Sequence, residues 1–438
     1  MRAPTRSSAT SSPRSTSRAT RSDREGTGLH HDSADPSPRG HRESAAHPPV
    51  GTFGGSLKDV PVEDLGAGII NAVVERSGID PERLDDVVFA QSYANSEVPC
   101  VGRWLALNAG LPIALPGMQL DRRCGGGLQA IVTAAMMVQT GAADAVLTGG
   151  IESMSRIEYY STSNRWGSRA GNSVLYDRLD RGRERSQPEH RFGKISGMIE
   201  TAENLAKDYG VSREAADAYA ARSHQRAHAA WEAGKFDDEV VPVTVPQRKG
   251  DPIVFARDEG IRPGSTVETL SKLRTVSPGG TVTAGNASQQ NDAAAACIIV
   301  AEDKLDELGL EPLGFLTGWA AAGCDPARMG IGPVPAVQRL AARTGVSVHE
   351  LLDALDVVEL NEAFAVQVLA VLEGWDWRDE ERVNVNGSGI SLGHPIGATG
   401  VRMVTTMLHE LHRRGGGKGL ATMCIGGGQG MAATFEAV

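Results

Sequence analysis

The chain of 438 residues lacks any apolar run approaching the roughly 18 residues that a membrane-spanning helix needs, so no such span is expected. It also lacks a CxxC pair. Its five cysteines, at 100, 124, 297, 324 and 424, are scattered and odd in number, and no signal peptide is visible. That argues against a disulfide framework or a zinc site, and the expected compartment is the cytoplasm, where single thiols stay reduced. Positive charge is not in excess: 44 Lys and Arg against 54 Asp and Glu leave a formal net charge of -10. Such a chain has no bulk attraction to nucleic acid or to an anionic membrane. Its glycine-rich stretch around His394 is not followed by Gly-Lys-[Ser/Thr] and has the wrong third-glycine spacing, so it is neither a P-loop nor a dinucleotide fingerprint. What remains is ordinary soluble composition, 40% hydrophobic and 22% charged, on a length sufficient for two or three core-bearing units.

Residues 1–47 stand apart. They are rich in Arg, Ser, Pro and His, and Leu29 is their only large aliphatic residue after Met1. With nothing to bury, they read as a disordered or aberrant tail. From Val50 onward the chain reads as order. Leu65, Ile69, Ile70, Val73 and Val74 share one helical face over 64–77, and 87–90 reads as a buried strand. A helix follows Cys124 as far as Gln139, then come a strand at 145–147 and a Gly149-Gly150 turn. Residues 155–281 are more charged and irregular, with amphipathic helices near 201–209 and 212–233, and read as an insertion. Residues 293–300 read as a buried strand or helix. Past 304, strand and helix alternate again: a strand at 356–360, a glycine-rich loop around His394, a helix over 399–413, and strands at 419–423 and 432–436. Each end of the chain thus has a reactive-looking residue on a glycine-rich loop, then a helix, a strand and a Gly-Gly turn. The expected organisation is two duplicated α/β halves with a site between them.

Four places carry the types of residue that chemistry uses. Cys124 precedes Gly125-Gly126-Gly127 and a helix. Unpaired N–H groups and the partial positive charge of a helix N-terminus lower a thiol pKa. The glycines admit a carbonyl close to the backbone. A small cysteine packed under a tight turn fits the same residues. His394 is followed by Pro395, which turns it away from helical geometry. It serves either as a base or as the cap of a structural turn. Cys424 ends a strand before Gly426-Gly427-Gly428, where a thiol and backbone N–H groups can face a cleft. Asn361, in Asn361-Glu362-Ala363-Phe364 at a strand end, either positions a water or carbonyl or caps a turn. Cys100, Cys297 and Cys324 lack such surroundings and read as structural.

Together these segments match a family. From about Val50 to Val438 the chain resembles the thiolases. The motifs are Asp121-Arg122-Arg123-Cys124-Gly125-Gly126-Gly127-Leu128-Gln129-Ala130, Gly149-Gly150-Ile151-Glu152-Ser153-Met154-Ser155, Thr283-Ala284-Gly285-Asn286-Ala287-Ser288, Asn361-Glu362-Ala363-Phe364, Gly393-His394-Pro395-Ile396-Gly397 and Cys424-Ile425-Gly426-Gly427-Gly428, in that order. The resemblance implies an α/β fold of two duplicated βαβαβαββ halves in a layered α-β-α-β-α core. The first half would span 48–154, completed by 282–303. The inserted loop domain would span 155–281 and the second half 304–438. It implies an acyl-CoA C-acyltransferase of fatty acid metabolism, a homodimer or homotetramer that needs no metal or prosthetic group and takes acyl-CoA and coenzyme A as substrates. Cys124 would be acylated and His394 would take its proton. Cys424 would remove the α-proton of the second thioester. His394 and a water on Asn361 would hold one thioester oxygen, and the N–H groups of Cys124 and Gly426 the other. Met198, Ala287, Ser288, Ala363 and Phe364 would line the pantetheine channel.

The chain departs from the family pattern at several points. The usual opening strand into Arg-Thr-Pro is replaced by Ala46-His47-Pro48-Pro49-Val50, so a first strand is expected to be missing. Gly126 stands where serine is usual, Gly197 where a histidine commonly precedes the channel methionine, and Gln289 where glycine often follows Ser288. Two other readings compete. A condensing enzyme acting on carrier-protein thioesters would pair its nucleophile with two histidines, against Asn361 and Cys424 here. A non-catalytic acyl-CoA-binding or subunit-interaction protein of the same fold is the alternative from a different class.

Overall fold

A computed structural model describes residues 39–41, backbone only, and 45–437. The expected tail therefore lies mostly outside the described residues. Its last part does join the fold: Arg39–His41 forms a strand, and Ala45, Ala46 and His47 are buried.

Among the described residues a ten-stranded sheet carries the core, nine of its strands on one path and the tenth, Gly51–Thr52, paired off it with Asn291–Val300. The nine are β1 (Arg39–His41), β2 (Asp86–Ala90), β3 (Met118–Leu120), β4 (Ala145–Ser153), β5 (Asn291–Val300), β6 (Pro312–Gly323), β7 (Val357–Leu360), β8 (Gly417–Ile425) and β9 (Gln429–Ala437). They hydrogen-bond in the order β7-β8-β9-β6-β1-β5-β4-β2-β3. In the first half β2 runs parallel to β3 and β4, and β4 antiparallel to β5. The second half repeats this: β7 is parallel to a bridge at Val383 and to β8, and β8 is antiparallel to β9. β6 borders β9 as β1 borders β5, so β1 and β6 are the corresponding strands of the repeat. β1 is antiparallel to both β5 and β6 and joins the halves at that edge. The position of the expected missing strand is therefore occupied. Main-chain pairing is open to any non-proline residue, and it is what places Arg39–His41 there despite an unpromising composition.

Alternation along the strands explains the layering. On β5, Ala294, Ala296, Ile298 and Val300 face one core, and Ala295, Cys297 and Ile299 face another. The first of these cores holds α1 (Val62–Ser77) and α2 (Val101–Asn108) against the first sheet. The second lies between the halves and contains α3 (Gly126–Gln139), whose Leu128 and Ile131 are fully buried, and the long helix Ile396–Arg413. The third covers the other face of the second half with the helices Pro333–Thr344 and Ala365–Trp375. The order is helices, sheet, two central helices, sheet, helices. Each fully buried Leu or Ile contributes roughly 1.5–3 kcal/mol relative to exposure. The helices Met198–Tyr209 and Arg213–Glu232, from the irregular middle of the chain, also pack on the third core.

One local expectation is corrected. β4 does not stop at a Gly149-Gly150 turn but continues through both glycines to Ser153. The glycines serve close approach rather than turning: a Cβ on Gly150 would overlap the Gly397 carbonyl oxygen. The start of the second central helix is thereby seated directly on β4.

Candidate active site

The nucleophile candidate stands on a strained approach. Arg123 has a positive φ of 47°, which costs a residue with a Cβ on the order of 1–3 kcal/mol. Asp121 Oδ1 accepts the Arg123 N–H at 2.6 Å, and the Arg123 guanidinium donates to Gly182 O and Ser186 Oγ, both at 3.3 Å. These contacts hold the turn and give the Asp-Arg-Arg run before Cys124 its purpose. A short 3-10 turn, Arg123–Gly125, then leads into α3.

Cys124, His394, Gly426, Met198, Ala287, Ser288, Ala363 and Phe364 all line one cavity of about 1060 Å³. Cys424 and Asn361 lie just behind its wall, both fully buried. Burial acts first on the Cys124 thiol, and the backbone N–H groups of Gly426 and of Cys124 itself act against it by favouring the thiolate. Burial nevertheless outweighs them, and the thiol is pushed above its ordinary range. The expectation of a thiol lowered by the helix N-terminus is thus reversed. The Cys424 thiol is raised further, by burial first and then by its neighbours Cys124 and Cys324. Neither cysteine is a standing thiolate, so each proton must pass to or from a partner during the reaction.

His394 is built to be that partner. Its pKa is pushed down to about 3, chiefly by burial and also by the Arg402 cation, so the ring is neutral throughout the working range. Its Nδ1 lies 2.7 Å from Thr399 Oγ1 and its Nε2 3.4 Å from Asn361 Nδ2. An amide nitrogen only donates, so Nε2 is the ring nitrogen without a proton, and Nδ1–H donates to Thr399. The main chain of His394 is fixed from the first half: Asn291 Oδ1 accepts its N–H at 2.8 Å while Asn291 Nδ2 donates to Gly51 O. Asn361 N–H donates to Thr422 O, and the buried Asn361 Oδ1 has no hydrogen-bond partner among the described residues.

Two buried carboxylates brace the loops. Glu152 accepts the N–H groups of Ser92, Tyr93 and Gly397, each at 3.1 Å, and burial lifts its pKa to about 7. Glu362 accepts from Ser223 Oγ, Tyr219 OH, Asn384 Nδ2 and the Ile390 N–H. The channel residues meet through the main chain: Ser288 N–H donates to Ala363 O at 2.9 Å, and Ala287 bridges Phe364. Arg181, Arg183 and Arg185 bring positive charge to the same cavity. Among the described residues no cluster of His, Cys, Asp or Glu is arranged to hold a metal ion, and no helix is long and apolar enough to cross a membrane.

Sequence reasoning missed Asn291, Thr399, the bracing role of Glu152 and Arg402. Glu152 and Thr399 lie within stretches singled out around the glycines, but nothing local tells what they bond. Asn291 carries no sequence signal at all, because its partners are 103 and 240 positions away.

A layered, duplicated α/β core with two free cysteines close together and a neutral histidine at the junction of its halves defines an acyl-transfer fold. Comparison with known proteins agrees. Residues 44–303 match the model of the thiolase N-terminal domain and residues 310–437 that of the thiolase C-terminal domain. The chain is 45% identical over 389 residues to an acetyl-CoA acetyltransferase of Chromobacterium violaceum, covering 88% of this chain and 96% of that one. The crystal structure of the Bacillus anthracis acetyl-CoA acetyltransferase superposes with a TM-score of 0.86 at 41% identity, over 92% of this chain and all of that one. Human mitochondrial 3-ketoacyl-CoA thiolase in complex with CoA gives 0.84 at 39% identity, over 91% and 98%. The chain belongs to the thiolase family.

Proposed function

We propose that the protein is an acyl-CoA C-acyltransferase that condenses and cleaves 3-ketoacyl-CoA thioesters through an acyl-Cys124 intermediate, with acetyl-CoA acetyltransferase as its reaction. The observation that carries this reading is that Cys124, His394 and Gly426 line one cavity, with the buried Cys424 a close neighbour of Cys124. His394 Nε2 takes the Cys124 proton as the sulfur attacks a thioester carbonyl; the bond to coenzyme A then breaks and coenzyme A leaves as the thiol with the proton of Cys424, so a hard condensation is split into two steps. The N–H groups of Cys124 and Gly426 serve the oxygen of the acyl group. Cys424, now the thiolate, removes the α-proton of the second thioester, whose α-carbon attacks the acyl carbon and expels the Cys124 sulfur, which takes its proton back from His394. The enolate oxygen is held by the Nε2–H that His394 gained from Cys124 and by a water on Asn361. Loss of one such donor costs roughly 3 kcal/mol.

The channel past Ser288 and Phe364 takes the pantetheine arm, and the arginines at the cavity suit the phosphates of coenzyme A. A relative of similar fold is known in complex with CoA, which supports this assignment. No metal or prosthetic group enters the scheme. We further propose a cytoplasmic homodimer or homotetramer acting in fatty acid metabolism, a setting in which five unpaired thiols stay reduced. Acetoacetyl-CoA mixed with coenzyme A should give acetyl-CoA with ping-pong kinetics. Purified protein that cleaves neither acetoacetyl-CoA nor longer 3-ketoacyl-CoAs overturns the reading.

A further inference from the structure

Gln289 lies on the cavity wall directly after Ser288, and its amide is held in one orientation. Nε2 donates to Gly260 O at 3.0 Å and to Ile390 O at 3.1 Å. Both N–H groups are therefore committed. Rotating the amide would press Oε1 against two carbonyl oxygens, so the orientation is set by chemistry. Gly260 is shaped to this arrangement: a Cβ there would sit 2.8 Å from Gln289 Nε2 and 2.9 Å from Ser391 O. The amide is thus clamped between the loop at 260 and the loop that carries His394. Its Oε1 is left as an acceptor on a residue that faces the substrate cavity.

A coenzyme A arm threading that cavity brings two secondary amides out of water. Each N–H that loses its water needs an acceptor, and leaving one unpaired costs about as much as the desolvation of the group. A fixed carbonyl on the channel wall meets that need without ordering cost, because the clamp has already set it.

We propose that Gln289 is a binding residue for the pantetheine arm, its Oε1 accepting one amide N–H of the bound thiol or thioester. The proposal rests on the thiolase reading above and adds to it a contact made by a residue that stands where glycine often follows Ser288.

The test uses full-length Gln289→Leu, which keeps the bulk and removes donors and acceptor alike. Deacylation of the acetyl-enzyme is followed with pantetheine, with N-acetylcysteamine and with 2-mercaptoethanol, which carry two, one and no amides. The expected result is a KM for pantetheine raised about fivefold, the worth of one such hydrogen bond, with kcat within twofold and no change for 2-mercaptoethanol. A loss for N-acetylcysteamine as well assigns the contact to the amide nearer the thiol, and no loss there assigns it to the farther one. Unchanged KM for pantetheine overturns the proposal. So does an equal loss for 2-mercaptoethanol, which would mark Gln289 as a brace for the loops only. If Gln289→Leu melts well below wild type, Gln289→Ser is read by the same ratios. Wild-type protein inactive with every thiol would remove the enzyme reading itself. An active wild type with an unaffected Gln289→Leu removes this inference alone.

Discussion

Replacing Thr399 by valine isolates how the tautomer of His394 is set. Thr399 is fully buried in the first turn of the central helix Ile396–Arg413, and its Oγ1 is 2.7 Å from His394 Nδ1. Valine has the same outline, so packing is kept and only the acceptor is lost. In the wild type, Nδ1–H is satisfied and Nε2 is left bare to receive the Cys124 proton. Without the hydroxyl, a buried Nδ1–H stands unpaired, at a cost of roughly 1–3 kcal/mol. The ring escapes by moving its proton to Nε2, where it can no longer act as a base. If about 2 kcal/mol of that cost falls on the productive tautomer, acylation slows about thirtyfold. Rapid-quench measurement of acetyl transfer from acetyl-CoA to Cys124 reads this step directly. Thr399→Ser restores an acceptor and should recover most of the rate. Acylation by Thr399→Val within twofold of wild type would refute the tautomer argument, as would serine and valine behaving alike.

Cys424→Ala should accept an acetyl label on Cys124 yet fail to condense, and near-wild-type condensation would show that another group removes the α-proton. Gly150→Ala should lower stability by roughly 1–3 kcal/mol through overpacking, seen as a lower denaturant midpoint. It should also lower kcat, because the displaced Gly397 lies three residues from His394; an unchanged midpoint contradicts the close approach. His394 makes stability depend on pH with a definite sign. Its folded pKa of about 3 lies below the ordinary 6.5, so below pH 6.5 the unfolded chain binds the extra proton and stability falls as the pH drops toward 3. At pH 5 the loss from this one group is about 2 kcal/mol. The drop in unfolding free energy from pH 7 to pH 5, measured by urea unfolding, should be larger by about that amount in wild type than in His394→Asn, and equal drops would mean that His394 is protonated in the folded protein.

Much of the site was legible because its signals are local. Glycine runs after Cys124, around His394 and after Cys424 mark backbone that must bend or come close, and strand–helix alternation marks the halves. What was not legible depends on partners far along the chain. Gly149-Gly150 reads as a turn until Gly397 is known to rest on it. The helix terminus beside Cys124 suggests a lowered thiol, but desolvation at the floor of the folded cavity outweighs the terminus. β1 had no hydrophobic pattern to announce it, and its place in the sheet shows only in its main-chain pairing with β5 and β6.

The seat of Gly397 on Gly150 has a consequence for how such an enzyme can change. At that junction bare backbone meets bare backbone, so there is no side chain to trim and no room to add one. The distance between β4 and the helix that follows His394 is therefore closed to gradual adjustment by substitution. Variation in substrate preference is channelled instead into residues such as Gly197 and Gln289, which border the arm of the substrate and leave the reacting centre untouched. Selection experiments for new acyl or thiol preferences should accumulate changes along that border and leave the glycine seat alone.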